Sequence, residues 1–251
     1  MLKLRVIPTL LYKDLGLVKG VGFNSWRRTG SAIQAVKVYN MREVDELVFF
    51  DISASIENRE PDYELVDELA DECFMPMAVG GGVKTLYHIQ KLLAVGADKV
   101  VINSAAIERP DFVNEAADKY GAQCVVVAID ARKNEDGGYV VCSLSATQKT
   151  DLDLVAWAKE VAQRGAGEIL ITSIEQDGTM EGFDADLIKL VADAVNIPVI
   201  ASGGAGCYED FVKAADLGVS AIAAASLYHF TEATPREAKL ALKEAGYPVR
   251  L

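Results

Sequence analysis

Histidine is almost missing from this chain: His88 and His229 are the two among 251 residues. A Ser-His-Asp triad or a histidine-rich metal centre would have to use one of them. His88 falls in a helical pattern, TLYHIQKLL, and His229 in a short SLYHF segment that begins at Ser226. Both are read as structural. Cysteine is also sparse. Cys73, Cys124, Cys142 and Cys207 are far apart with no CxxC pair, which argues against disulfides or a zinc site and for buried thiols in a reducing compartment. Acidic residues outnumber basic ones 37 to 25, for a net charge of −12, and no basic run stands out. A nucleic-acid partner is therefore excluded. No apolar run approaches the roughly 18 residues of a membrane helix, so no membrane partner is expected. The start, MLKLRVIPTLLYKD, lacks the apolar core and small-residue cleavage site of a secretory leader. With no His/Cys cluster, and no GxGxxG after the first apolar run, neither a metal nor a cofactor is expected.

What the chain does have is a regular alternation. Nearly unbroken apolar runs at 4–11, 46–52, 75–79, 98–102, 122–130, 167–173, 197–201 and 219–224 fit parallel strands buried on both faces. Amphipathic stretches at 61–73, 109–120, 152–164, 184–195, 207–217 and 234–245 predict helices between them. Pro61 falls in the first turn of one, and Gly96, Gly121, Gly165 and Gly218 stand where helices stop before the next strand. Eight strands alternating with helices predict an α/β (β/α)8 barrel, with a doubly wound open sheet as the competitor.

Three matches at one offset favour closure. PMAVGGGV (76–83) pairs with PVIASGGA (198–205), GADKVVINS (96–104) with GVSAIAAAS (218–226), and ELVFFDISAS (46–55) with EILITSIEQD (168–177). Each pair is 122 residues apart, the mark of two similar half-barrels. No Pro/Gly/Ser-rich linker interrupts the chain, so one closed domain over 1–251 is expected.

Barrel chemistry sits on the loops that follow the strands. Gly81 and Gly82, then Asn103 and Ser104, fall there in the first half; Ser202, Gly203 and Gly204, then Ala225 and Ser226, in the second. Glycine loops admit backbone N–H groups to an anion. Two symmetric cradles imply a phosphorylated small molecule with a phosphate at each end. Between them, Asp130 closes an apolar run and is the candidate acid–base group. Asp51 and Asp177 fit positioning or loop capping better than proton transfer.

These segments resemble the HisF family, the cyclase subunit of imidazole glycerol phosphate synthase. The carriers are DELVFFDISAS (45–55), VGGGV (79–83), GADKVVINSAA (96–106), VVVAIDAR (125–132), GAGEILITSIEQDGT (165–179), IPVIASGGAG (197–206) and AAASLYHF (223–230). The resemblance spans essentially the whole chain. It implies a class I glutaminase docked at the N-terminal end of the barrel, with Asp98 facing it. Ammonia would enter through a charged ring of Arg5, Glu46, Lys99 and Glu168. It also implies Asp177 and Gly178 beside the second cradle, Lys19 for substrate positioning, and a cytoplasmic location.

The departures matter as much. Where the family has a second catalytic aspartate, this chain has Leu11, and Asp14 matches a different family aspartate. Leu144-Ser145-Ala146-Thr147 replaces a His-Gly-Gly-Arg-like stretch. Losing one acid–base group costs roughly 10²–10⁴ in rate. This pattern looks like a paralogous branch that passes ammonia to a sugar amidotransferase acting on a nucleotide sugar for surface polysaccharide. The alternatives are the ordinary cyclase–lyase of histidine biosynthesis and an ammonia-independent sugar-phosphate isomerase.

Overall fold

The computed structural model describes residues 3–251. Expected domain bounds that start at Met1 include Met1 and Leu2, which lie outside the described residues. The strands are β1 (Arg5–Lys13), β2 (Gly16–Val21), β3 (Asn24–Gly30), β4 (Leu47–Asp51), β5 (Met77–Gly80), β6 (Lys99–Ile102), β7 (Val125–Lys133), β8 (Tyr139–Ser143), β9 (Gln148–Asp153), β10 (Glu168–Ser173), β11 (Val199–Ser202) and β12 (Ala221–Ala224). The helices are α1 (Ala32–Met41), α2 (Tyr63–Glu72), α3 (Leu86–Ala94), α4 (Ser104–Glu108), α5 (Asp111–Tyr120), α6 (Leu154–Gln163), α7 (Ala185–Ala194), α8 (Tyr208–Asp216), α9 (Ser226–Phe230) and α10 (Pro235–Glu244).

Eight of the strands pair in parallel around a closed ring, in the order β1, β4, β5, β6, β7, β10, β11, β12 and back to β1. The β7–β10 pairing, Glu168 beside Val126 through Ser173 beside Ala131, seals the ring that an open sheet would leave unpaired. This is the (β/α)8 barrel, and it decides against the doubly wound alternative. Alternation along each strand sorts the side chains. Leu10, Leu47, Phe49, Met77, Val127 and Ile169 belong to the large apolar layer shared with the helices. Ile7, Val48, Ala78, Val101, Val126, Leu170 and Ile200 fill the lumen.

The half-barrel repeat is written into the element bounds. β5, β6, α1, α2, α3 and α4 recur 122 residues later as β11, β12, α6, α7, α8 and α9. Each half also carries an antiparallel hairpin on its first strand, β2–β3 on β1 and β8–β9 on β7.

The structure revises several local expectations. Pro61 precedes α2: the N-cap is Asp62, whose side chain accepts from Leu65 N at 3.0 Å. The expected strand at 122–130 opens with a short 3-10 turn, Ala122–Cys124, and runs on to Lys133 because β8 pairs with its far end. Residues 152–153, expected in a helix, end β9. Strands β2, β3 and β8, the rest of β9, and helices α1, α4 and α9 lie outside the predicted strand and helix ranges. β3, NSWRRTG, is polar and mostly exposed, so no alternating pattern marks it. Of the cysteines, Cys142 is buried, while Cys207 is exposed and Cys73 and Cys124 are half-buried; the expectation of buried thiols holds for one of them.

Candidate functional site

At the N-terminal end of the barrel, Arg5, Lys99 and Glu168 open β1, β6 and β10, and Glu46 immediately precedes β4. Arg5 donates to Glu46 at 2.6 Å and to Glu168 at 3.1 and 3.0 Å. Lys99 donates to the same two carboxylates, at 2.8 and 3.0 Å to Glu46 and 3.0 Å to Glu168. Two cations and two anions thus form a closed, electrically balanced ring, the condition for holding charge out of water. Glu46 is the most buried member, its side chain 3% exposed. Asp98 is exposed at the same end, where its carboxylate accepts from Met77 N at 2.8 Å. Asp45, which the sequence reading missed, does the same for Val6 N at 2.9 Å.

At the other end the loops enclose a cleft of about 1200 Å³ of free space, open to solvent. Both sets of cradle residues line it: Gly81, Gly82, Asn103 and Ser104 on one side, Asp177, Gly178, Ser202, Gly203, Gly204, Ala225 and Ser226 on the other. Lys19, Asp51, Asp130 and Leu11 line the same cleft. The structure therefore brings together every mouth residue named from the sequence and keeps the charged ring at the opposite end. The glycines are required by space. At Gly204, with φ +120°, a Cβ would lie 2.0 Å from the carbonyl oxygen of Gly182. At Gly82, with φ +72°, it would lie 2.6 Å from that of Arg59. The two halves differ in detail. Gly82 N already donates to Ser55 Oγ at 3.2 Å. Ser226 Oγ is buried without a partner among the described residues.

Asp130 sits inside β7, level with Thr172 of β10. Asn103 Nδ2 donates to its carboxylate at 2.9 Å. Burial, and then the nearby charge of Asp177, push the Asp130 carboxyl from 3.8 up to about 7, against a hydrogen bond from Thr172. A carboxyl in that range can both give and take a proton near neutrality. Asp177 is itself held by Lys19, Nζ to Oδ2 2.6 Å, with the Lys19 side chain 1% exposed. Asp51 is committed to its own loop: one oxygen accepts from Ser53 N, Ser53 Oγ and Ala54 N at 3.0–3.1 Å, and Arg59 pairs with the other at 3.1 Å. These contacts cap its own loop, and the residue still lines the cleft.

Leu11 takes the inward place on β1 that faces this cleft, between Phe50 of β4 and Val18 of β2. With Phe23, Trp26 and Phe50 it gives the cleft an apolar flank. Phe23, Trp26, Ser145 and Thr172 were not read as site residues. The hairpins that carry the first three are placed by strand pairing across the mouth, which no local pattern encodes. His88 is buried and structural, with Nδ1 accepting from Lys84 N at 3.2 Å. His229 is held neutral, its pKa lowered to about 4 by burial and by Lys19. Among the described residues, no group of three His, Cys, Asp or Glu is arranged to hold a metal ion. Among the described residues, no helix is long and apolar enough to cross a membrane.

Comparison with known proteins agrees with this geometry. The family model for histidine biosynthesis protein matches residues 5–234. The imidazole glycerol phosphate synthase subunit HisF of Gluconacetobacter diazotrophicus is 48% identical over 250 residues, covering 100% of this chain and 97% of the relative. HisF of Caulobacter vibrioides is 48% identical over 253 residues, with the same coverage. With one barrel, two cradles and this likeness along its whole length, the chain belongs to the HisF branch of the histidine biosynthesis protein family.

Proposed function

We propose that the chain is the barrel subunit of a glutamine amidotransferase of the imidazole glycerol phosphate synthase type. A glutaminase docks at the end that carries the charged ring and Asp98. Ammonia enters there, crosses the apolar lumen as the neutral molecule, and reaches a bis-phosphorylated substrate in the cleft. The observation that carries this reading is the alignment of a balanced ionic ring and an acid–base carboxyl at opposite ends of one barrel. An apolar lumen favours neutral ammonia over ammonium because burying an unpaired charge is costly. The cradles take the two phosphates. Asp130, oriented by Asn103, exchanges protons with the substrate between them. This is cyclase–lyase chemistry, and the HisF relatives support it.

Leu11 favours a second reading, in which the barrel conducts ammonia to a sugar amidotransferase acting on a nucleotide sugar. The relatives lend that reading no support; the missing carboxylate is its whole case. One assay separates the two. Purified chain is given the phosphoribulosyl precursor of imidazole glycerol phosphate and ammonia. Turnover of roughly 1–10³ s⁻¹ establishes the cyclase. No turnover, together with stimulation of a partner glutaminase that Lys99→Ala abolishes, establishes the conduit. Normal ammonia transfer in Lys99→Ala would sink both accounts of the ring.

A further inference from the structure

The two hairpins do something the barrel alone does not require. Each crosses the mouth and bonds to the opposite half. In β2–β3, Gly22 N donates to the carbonyl of Asp177 at 2.8 Å, beside the Lys19–Asp177 pair. The approach is so close that a Cβ on Gly178 would lie 2.1 Å from the carbonyl oxygen of Gly20. In β8–β9, Ser145 Oγ donates to the carbonyl of Ile52 at 2.9 Å, and Leu144 N donates to Ser104 Oγ at 3.0 Å. Ile52 stands 122 residues before Ile174, which opens the loop that β2–β3 grips. The clasps are therefore reciprocal.

The second clasp is strained. Leu144, Ser145 and Ala146 have φ of 51°, 53° and 65°, three successive non-glycine residues in the left-handed region. Each costs roughly 1–2 kcal/mol for an L-residue, and such strain persists only where surrounding contacts over-determine it. Within the tip, Thr147 N and Oγ1 both donate to the Leu144 carbonyl, at 3.2 and 2.7 Å. The two bonds that leave the tip both end on the other half. With Leu144 N donating to Ser104 Oγ, the hydroxyl keeps its own proton available to donate. Ser226, its counterpart 122 residues on, has no such bond.

We propose that the β8–β9 tip is a latch: Ser145 fastens it to Ile52, and Leu144, as a positioning residue, aims the Ser104 hydroxyl at an anionic phosphate in the first cradle. The first cradle is thus completed by the second half-barrel, and phosphate occupancy there is tied to closure of the tip. This rests on reading both cradles as phosphate sites.

The test is backbone amide NMR with hydrogen exchange, using inorganic phosphate as probe, on the whole chain and on Ser145→Ala. In the parent, the Leu144 amide is protected, and phosphate shifts the amides of Gly82 and Ser104 as well as those of Gly204 and Ser226. Ser145→Ala releases the Leu144 amide to exchange. It weakens phosphate at the first pair of amides by roughly three- to tenfold, the equivalent of one neutral hydrogen bond, and leaves the second pair unchanged. An unprotected Leu144 amide in the parent overturns the latch. So does unchanged binding at the first cradle in Ser145→Ala, or equal weakening at both cradles. If phosphate moves neither pair in the parent, the phosphate reading and the coupling to it fail, and exchange at Leu144 alone decides whether the latch exists.

Discussion

Lys19 and Asp177 are 158 residues apart in sequence, and their side chains meet at 2.6 Å inside the mouth of the barrel. The pair joins the two half-barrels: Lys19 comes from the hairpin of the first, Asp177 from the loop after β10 in the second. Removing one partner leaves the other buried and uncompensated, which costs roughly 3–5 kcal/mol. Lys19→Met is expected to lower unfolding stability by about 3 kcal/mol in urea titration. The double variant Lys19→Met/Asp177→Leu should recover most of it. Equal destabilisation in the single and double variants would show that an unpaired Asp177 carries no burial penalty of its own.

Asp130 makes stability depend on pH. Its carboxyl titrates near 7 in the folded protein and near 3.8 in the unfolded chain. The folded state therefore binds the proton more tightly, and the contribution is fully present below about pH 4. It is lost as the pH rises towards 7, by roughly 1.4 kcal/mol for each pH unit crossed between those two values. The urea midpoint of the parent should fall across that window relative to Asp130→Asn. Asp177→Asn removes a nearby negative charge and should bring the Asp130 titration down in carboxyl NMR. A midpoint for Asp130 near 4 would contradict the account.

Within the floor ring, burial ranks the members. The Glu46 side chain is 3% exposed and that of Glu168 13%, and each serves both Arg5 and Lys99. Glu46→Gln is expected to cost about 3 kcal/mol and Glu168→Gln less, measured as chemical-denaturation midpoints. The reverse order would mean that water reaches Glu46 more readily than Glu168.

On the proposed function, Leu11 stands where a second acid–base group would serve. A carboxylate returned to this place faces the cleft opposite an existing acid–base group. Leu11→Asp is expected to raise ammonia-dependent cyclisation by roughly 10²–10⁴, the usual worth of such a group. Unchanged turnover in the variant would assign the chemistry to residues other than this pair.

Much of this protein is legible in its sequence because the relevant constraints are local. Strands buried on both faces must be apolar throughout, so the eight barrel strands show as runs. Gly82 and Gly204 show because no side chain fits their backbone, and the 122-residue repeat because both halves obey the same rules. Asp130 was visible as a lone charge closing an apolar run. Tertiary structure alone decided the rest. The repeat favours a closed barrel, but the seam itself, β7 meeting β10 across an intervening hairpin and helix, is set by pairing. β3 is polar and exposed, and it is a strand only because β2 pairs with it. That Asp51, at the rim of the cleft, is also tied to Ser53, Ala54 and Arg59 follows from the fold of residues 51–59. The clasps at Ile52 and Asp177 link segments that no periodicity connects, since a hydrogen bond across the mouth depends on where the whole barrel places its rim.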